Sequence, residues 1–243
     1  MPRIWAREVE VLFFYLTSLP NLYHKTYHNH PIHGEHTMTF SVTQFGKPLS
    51  KKKYTWDPKT KTFSTNENDL VLDFSEIDGV TFRTGAGCTF KTGWYCTFRT
   101  GERCTFNTGG YCTFKTGGDC TFNTGGDCIF STGGCCTFNT GWCCTFNTGW
   151  NCTFTTDENC TFRTGYGCTF KTGGYCTFTC EENCVVIRWD VKGVTEIPEG
   201  KTIKLRGHGV KGYDEVKPHT IVIDGKEITL SEESYNELKK SLG

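Results

Sequence analysis

Apolar and polar residues alternate in groups of eight from Leu72 to Cys184. Each group, here called an octad, reads Cys-Thr-Phe-x-Thr-Gly-x-x, as in residues 104–111. Because successive side chains of a strand point to opposite faces, Cys, Phe and the second Thr share one face. The first Thr and the polar fourth residue share the other face. The pattern predicts a short strand with one buried face, ended by Gly at position six through a positive φ.

Fifteen octads follow one another without a gap. Two degenerate octads come first: Leu72 of the first takes the place of cysteine and Phe74 that of phenylalanine, and the second starts at Val80. The other thirteen begin with Cys88, Cys96, Cys104, Cys112, Cys120, Cys128, Cys136, Cys144, Cys152, Cys160, Cys168, Cys176 and Cys184. A fixed short period is typical of a solenoid, in which each unit buries its apolar face against its neighbours.

Two coil geometries fit the period. Two octads per coil give a flattened roll of two sheets, and three octads per coil give a triangle. Stacking every second octad places Asn107, Asn123 and Asn139 in one outward ladder and Tyr95 under Tyr111, whereas stacking every third octad breaks both runs. Asn and aromatic ladders are favoured between in-register parallel strands. The columns therefore favour the roll, with about 16 residues per coil.

In such a roll, Phe meets Phe at mid-strand across the core, and the Cys of one sheet faces the inner Thr of the other. Each buried Phe contributes roughly 1.5–3 kcal/mol to folding. The predicted core contains Cys104, Phe106, Cys112, Phe114, Cys120, Phe122, Cys136, Phe138, Cys144 and Phe146.

The sequence thus predicts an all-β protein in three parts. Residues 1–71 form a small β-rich N-terminal cap, residues 72–184 the parallel β-solenoid of octapeptide repeats, and residues 185–243 a C-terminal β-plus-helix domain. The segment 37–43 alternates as a strand, and the turn at residues 57–60 predicts a hairpin of 53–56 with 62–65. Residues 1–19 suit a helix, a strand or a signal peptide.

The C-terminal part contains the strongest turn signal of the chain. Residues 185–191 and 202–206 read as strands, and 219–224 with 226–230 as a hairpin turning at Asp224-Gly225. Ser231 then caps a predicted helix with acidic residues in its first turn and Lys239 and Lys240 in its last. Tyr235, Leu238 and Leu242 form the apolar side of this helix.

Composition narrows the class of protein. The 243 residues carry 26 basic and 26 acidic side chains. The chain therefore lacks the basic excess that is typical of a nucleic-acid binder. No stretch approaches the ~20 apolar residues of a transmembrane helix. We therefore expect no nucleic-acid or membrane partner, no cofactor and no catalytic activity, since no glycine loop or nucleophile motif is recognisable.

The sixteen cysteines are interpreted as free thiols that pack as small hydrophobes. Stacked rungs separate them by ~4.8 Å, further than the ~3.8 Å between Cβ atoms of a disulfide. Disulfide staples and metal binding are the alternatives. Reduced thiols favour a virion or the cytoplasm over a disulfide-rich secreted protein. Cys135 and Cys143, at corners on opposite edges, are expected to be exposed.

Two groups are candidates for metal binding, with packing and loop structure as the alternatives. The thiol group has a spacing of four residues and no evident fourth ligand; the histidine group lies in a loop-like segment. The candidates are Cys176, Cys180, Cys184, His28, His30, His33 and His36.

Large aromatic residues at corners suggest a contact surface: Trp94, Tyr95, Trp142, Trp150 and Tyr166. They are equally suited to pack on the next corner.

The octads, with their join Cys184-Val185-Val186, resemble a repeat family of uncharacterised, largely viral and metagenomic proteins. A looser resemblance is to the octapeptide β-helix needles of contractile phage tails, which are trimers with a Val-x-Gly core pattern. Beetle antifreeze solenoids also repeat Thr and Cys, but around a flat Thr-x-Thr face.

The repeat family carries no established activity. We interpret the protein as a structural or adhesive rod, such as a virion or surface-fibre component, in which the solenoid is the spacer and the terminal domains contact a protein or surface partner. A binding module that uses a flat solenoid face or the corner aromatics, on a partner or on ice, is the alternative. A metal-binding or redox protein that uses the cysteine ladder or the histidine cluster is the third interpretation. Both a monomer and a homo-oligomer, including a trimer, fit the sequence.

Overall fold

The chain winds as a parallel β-solenoid with two octads per coil. The structure, a computed structural model, describes residues 39–217, 219–223, 226–230 and 232–242. Equivalent residues of neighbouring coils pair sixteen positions apart, so Phe114 lies beside Phe98 on one side and Phe130 on the other. The predicted two-sheet roll is therefore confirmed, and the triangular coil is excluded.

The elements follow in chain order. The N-terminal strands are β1 (Ser41–Gln44), β2 (Lys47–Pro48), β3 (Thr55–Asp57), β4 (Thr62–Ser64) and β5 (Leu70–Phe74), with a 3-10 helix at Lys51–Lys53. The octads supply β6 (Thr81–Arg83), β7 (Thr89–Thr92), β8 (Thr97–Arg99), β9 (Thr105–Asn107), β10 (Thr113–Lys115), β11 (Thr121–Asn123), β12 (Ile129–Ser131), β13 (Thr137–Asn139), β14 (Thr145–Thr148), β15 (Thr153–Thr155), β16 (Thr161–Thr164), β17 (Thr169–Thr172) and β18 (Thr177–Cys180). The C-terminal elements are β19 (Val185–Arg188), β20 (Val194–Glu196), β21 (Thr202–Leu205), β22 (Tyr213–Glu215), β23 (His219–Ile223), β24 (Lys226–Leu230) and α1 (Glu232–Leu242).

The strands form two facing sheets of eleven strands each. Sheet 1 has the order β2-β1-β5-β7-β9-β11-β13-β15-β17-β19-β20, and sheet 2 the order β22-β21-β18-β16-β14-β12-β10-β8-β6-β4-β3. Successive octads alternate between the sheets, because each three-residue corner carries the chain from one sheet to the other. Columns of identical outward residues therefore run along each sheet.

A continuous stack of phenylalanine rings fills the space between the sheets. Rings of one sheet lie nearly parallel, as in Phe122 and Phe138 with centroids 4.7 Å apart and planes 2° apart. Rings of opposite sheets meet edge to face, as in Phe122 and Phe130 at 5.2 Å and 78°. Both geometries are favoured for aromatic pairs. Every predicted core residue named above is buried.

The cysteine column has a hydrogen-bonding role besides its packing role. No disulfide joins the sixteen cysteines, all of which lie in the described residues, so the reading as free thiols is confirmed. The Cys112 thiol donates to the Gly110 carbonyl and its sulfur accepts from the backbone N–H of Cys96, one coil away, at 3.4 Å. The sulfur thereby gives the Cys96 N–H a partner, and the thiol adds a second donor to a carbonyl that already accepts from the Tyr95 N–H.

The prediction that glycine at position six ends the strand through a positive φ is wrong. The residue with positive φ is at position eight, as at Tyr95 (61°), Arg103 (57°) and Asp119 (56°), and the glycines at position six do not adopt positive φ. Position six needs glycine because coils approach closely there. A Cβ on Gly125 would lie 2.7 Å from the backbone nitrogen of Gly110.

The register of the first degenerate octad also differs from the prediction. Leu72 pairs with Phe90 and Phe74 with Thr92, so Leu72 takes the place of phenylalanine, not of cysteine. The cause is the following corner, residues 75–79, which is two residues longer than the regular corner. Ile77 of this corner is buried in the core, which accounts for the extra length.

Antiparallel strands close both ends of the solenoid. At the N-terminal end β1 pairs antiparallel with β5, and β3 with β4, which confirms the predicted hairpin. Phe40 stacks on Phe74 at 4.3 Å, and Tyr54 stacks on Phe63 at 5.1 Å, so the first rings of the stack are covered. At the other end β20 and β21 pair antiparallel with β19 and β18. The outermost strands are only two or three residues long, which limits edge-to-edge association.

The predicted C-terminal hairpin and helix are present as β23, β24 and α1. The rings of His219 and Tyr235 stack at 4.0 Å, which joins the hairpin to the helix. The turn residues Asp224 and Gly225, the predicted cap Ser231, and the whole of residues 1–38 lie outside the described residues.

We expect Gly125→Ala to lower the free energy of unfolding by about 1–3 kcal/mol, because the added methyl overpacks the contact with Gly110. Chemical denaturation followed by circular dichroism measures the effect. Asp119→Gly is the matched control: glycine tolerates the positive φ of that corner, and a change below about 1 kcal/mol is expected. Equal losses for the two variants would contradict this account of position six.

Candidate functional site

The two sheets present different outward surfaces. The second outward column of sheet 1 contains the predicted ladder Asn107, Asn123 and Asn139, in which the Asn139 amide donates to the Asn123 carbonyl oxygen at 3.4 Å. The same column of sheet 2 contains Arg83, Arg99 and Lys115 on successive coils, and Arg163 three coils further. One face is therefore mainly amide and hydroxyl, and the other carries a basic column.

The corners form two edges, on which the predicted aromatic contact residues are divided. The first edge holds Trp94, Tyr95 and Trp142, and the second holds Trp150 and Tyr166. Their exposed fractions range from 42% for Tyr166 to 61% for Tyr95. The structure therefore does not bring the five together into one surface.

Two further residues of the first edge, Tyr111 and Tyr175, are nearly half exposed but were not among the predicted contact residues. Tyr111 stacks on Tyr95 at 5.0 Å and 17°, so the predicted tyrosine pair is present. Position eight of the octad was a usable signal in the sequence, because Tyr95, Tyr111 and Tyr175 all occupy it and all are exposed.

The corner tryptophans pack on glycines of the neighbouring coil. A methyl group on Gly126 would lie 2.8 Å from the Trp142 ring, and one on Gly110 would lie 3.0 Å from the Trp94 ring. The Trp142 indole N–H donates to the Asp127 carboxylate at 3.1 Å. These large side chains thus stabilise stacking between coils and still leave about half of their surface to solvent.

The repeat cysteines are buried, whereas two corner cysteines are exposed. Hydrogen bonding with the Cys128 thiol raises the pKa of the buried Cys144 to about 11. The neighbouring thiols of Cys144 and Cys176, followed by burial, raise the pKa of Cys160. Both thiols are also buried, which keeps them from reagents in solvent. Cys135 and Cys143 are exposed, as predicted, at corners on opposite edges.

The candidate thiol metal group is divided between the two edges. Cys180 contacts Cys184 at one edge, whereas Cys176 contacts Cys160 at the other. Among the described residues, no group of three or more His, Cys, Asp or Glu side chains is arranged to hold a metal ion. The candidates His28, His30, His33 and His36 lie outside the described residues.

A buried ion pair, which the sequence pattern did not predict, fixes the C-terminal end of the solenoid. The Arg188 guanidinium binds the Asp190 carboxylate with two hydrogen bonds, and their side chains are only 4% and 1% exposed. Arg188 also donates to the carbonyls of Arg206, Gly207 and Val210. This residue at the end of β19 therefore holds the loop after β21 against the last coil.

Two shallow grooves lie on the described surface. One, of about 440 Å³, is lined by Lys52, Lys53, Tyr54, Thr55, Ser64, Thr65, Asn66 and Arg83 at the N-terminal end of sheet 2. The other, of about 370 Å³, lies between Asn139 and Trp189 on sheet 1. No helix of the described chain has the length and apolar content needed to cross a membrane.

The coil geometry, the ring stack and the outward columns define a β-solenoid repeat protein, a fold that suits a structural or a binding role. No protein-family model, no curated protein and no solved structure matches the chain.

We expect Arg188→Met to destabilise the C-terminal end by about 3–5 kcal/mol, because it leaves the Asp190 carboxylate buried without its partner. Hydrogen exchange of the coil formed by β18 and β19, with chemical denaturation, measures the loss. Unchanged protection of that coil would contradict the assignment.

The same pair predicts sensitivity to acid. Burial alone would raise the pKa of Asp190, but the hydrogen bonds from Arg188 and Gly209 outweigh it and hold that pKa below its ordinary value. The pair therefore contributes stability at neutral pH, and the contribution is lost as the pH falls through the lowered pKa. The Arg188→Met variant is the control, because it should lose less stability between neutral pH and pH ~3 than the unaltered chain.

We expect Asp127→Asn to accelerate alkylation of Cys143 at pH ~8 by roughly two- to fivefold. Burial, followed by the charge of the Asp127 carboxylate, raises the pKa of the Cys143 thiol, and the substitution removes that charge. Mass spectrometry of the two exposed thiols measures the rates. Cys135 on the other edge is the internal control, and an equal change at both cysteines would contradict the prediction.

Proposed function

We propose that this protein is a rigid rod or spacer with a structural or adhesive role, for example in a virion or a surface fibre. The observation that carries the proposal is the uninterrupted stack of Phe rings along the solenoid, which fixes every coil relative to the next. Eleven strands per sheet at ~4.8 Å spacing give a length of about 48 Å. The interior holds packing residues, and the proposal assigns no catalytic step.

The closed ends support the same role. Short antiparallel strands and aromatic residues cover the first rings of the stack, and the Arg188–Asp190 pair fixes the last coil. A rod closed in this way does not extend by adding further chains end to end. Its terminal elements are then available to contact a protein or a surface.

A binding module is the second candidate function. It is favoured by the corner aromatics, which keep about half of their surface exposed although each packs on a neighbouring coil. Exposed aromatic side chains provide large contact areas at little entropic cost. In this role the solenoid positions side chains at intervals of one coil.

The spacer role predicts that rod length follows coil number. Duplicating residues 105–120 adds one full coil, and we expect the distance between spectroscopic labels at Thr55 and Val210 to increase by about 5 Å with an equally narrow distribution. Pulsed dipolar spectroscopy with labels on non-natural side chains measures the distance.

Duplicating only residues 105–116 is the control, because twelve added residues break the register of all later coils. This variant is expected to lose cooperative unfolding. A broad or unchanged distance distribution after the full-coil insertion would contradict the spacer role.

A further inference from the structure

The basic column of sheet 2 is an energetically unfavourable arrangement that packing does not explain. Arg99 pairs in register with Arg83 on one side and Lys115 on the other. Neighbouring strands are ~4.8 Å apart, and like charges directly opposite each other on paired strands are destabilising. All three residues are exposed, so their charged groups add nothing to the core.

No acidic side chain on the parallel strands of sheet 2 relieves this repulsion. None of the outward positions on the parallel strands of sheet 2, from β4 to β18, is Asp or Glu. Within the described residues, Arg83, Arg99 and Lys115 form no ion pair. Sheet 1 provides the contrast, because its Lys91 lies 3.6 Å from Asp73.

The surroundings of the column favour a polymer with polar rings over a bare anion. Along one rung Tyr95, Thr97 and Arg99 follow one another at alternate positions, and Tyr111, Thr113 and Lys115 repeat this row one coil further. The two tyrosine rings stack at 5.0 Å. On these two coils the surface therefore offers an aromatic ring, a hydroxyl and a cation in the same arrangement.

The column continues at its N-terminal end into the groove of about 440 Å³, which Lys52, Lys53 and Arg83 line together with hydroxyl and amide side chains. Lys53 is paired with Glu67 at 3.2 Å. A basic strip thus runs along the solenoid axis from this groove across three successive coils. A ligand that matches it is extended and carries one negative charge for each coil.

We propose that this strip binds a linear acidic polysaccharide, a chain of uronic-acid sugars, aligned with the solenoid axis. A uronic-acid residue extends its chain by about the ~4.8 Å of one coil, so the carboxylates on the side of the polymer that faces the strip can meet its cations. Arginine binds carboxylates through two parallel hydrogen bonds. The threonine and tyrosine hydroxyls can bind the hydroxyl groups of the sugars, and the exposed parts of the tyrosine rings can contact their apolar faces.

The charge of the chain favours this ligand over a nucleic acid. Nucleic-acid binding depends mainly on contacts with many phosphates and is typical of strongly basic domains. This chain has 26 basic and 26 acidic residues, and on sheet 2 the cations of three successive coils lie in one column. A short basic strip flanked by neutral hydroxyl groups suits a polymer of lower charge density.

The test compares the full chain with two charge-matched variants. Arg83→Gln, Arg99→Gln and Lys115→Gln together remove the strip, and Lys47→Gln, Lys91→Gln and Lys171→Gln together remove three cations from sheet 1. Calorimetric titration with polygalacturonate at low salt measures binding. We expect the strip variant to bind about tenfold more weakly or worse, and the sheet 1 variant to bind within about twofold of the unaltered chain.

Thermal unfolding at low salt is measured alongside, because the strip variant should remain folded and be at least as stable once the repulsion is removed. Poly-glutamate, single-stranded poly-dT and neutral dextran are the comparison ligands, and each should bind more weakly than polygalacturonate. Absence of polygalacturonate binding to the unaltered chain, equal weakening by both variants, or tighter binding of poly-glutamate or poly-dT would each overturn the proposal. None of these outcomes bears on rod length, so the spacer role is tested separately.

Discussion

In-register stacking of phenyl rings between coils is the interaction on which the rest of this structure depends. Each ring in the middle of the stack has a parallel neighbour above and below it in its own sheet and edge-to-face neighbours in the opposite sheet. These contacts are satisfied only when equivalent residues lie one above the other. The stack therefore fixes the register of both sheets, and every outward column follows from it.

The close stacking imposes its own requirement on the corners. Coils separated by the strand spacing bring corner backbones together, and position six accommodates this contact only without a Cβ. Where the neighbouring coil has glycine at position seven, a tryptophan fits against it, as Trp142 does against Gly126. A large corner residue of one coil therefore packs against a small corner residue of the next, as large and small side chains interdigitate in a protein core.

The cysteine column shows why a small apolar residue alone would not serve at position one. The thiol donates to a corner carbonyl and its sulfur accepts a backbone N–H from another coil, so groups outside the strand ladder are partnered. Most outward positions, in contrast, accept several polar side chains with no change in the fold. That freedom permits one sheet to carry an amide ladder and the other a basic column on the same scaffold.

Much of this protein was determined by sequence alone, because a period of eight with alternating polarity admits few folds. This repeat pattern predicted the strands, the inward Phe and Cys side chains and the free thiols. The Asn107–Asn123–Asn139 ladder predicted the coil of two octads. The features that the sequence did not predict depend on contacts between residues that are far apart in the chain. The backbone separation at Gly125, the shift of Leu72 caused by a longer corner, and the burial of Arg188 with Asp190 arise from packing between coils, which a local pattern does not encode.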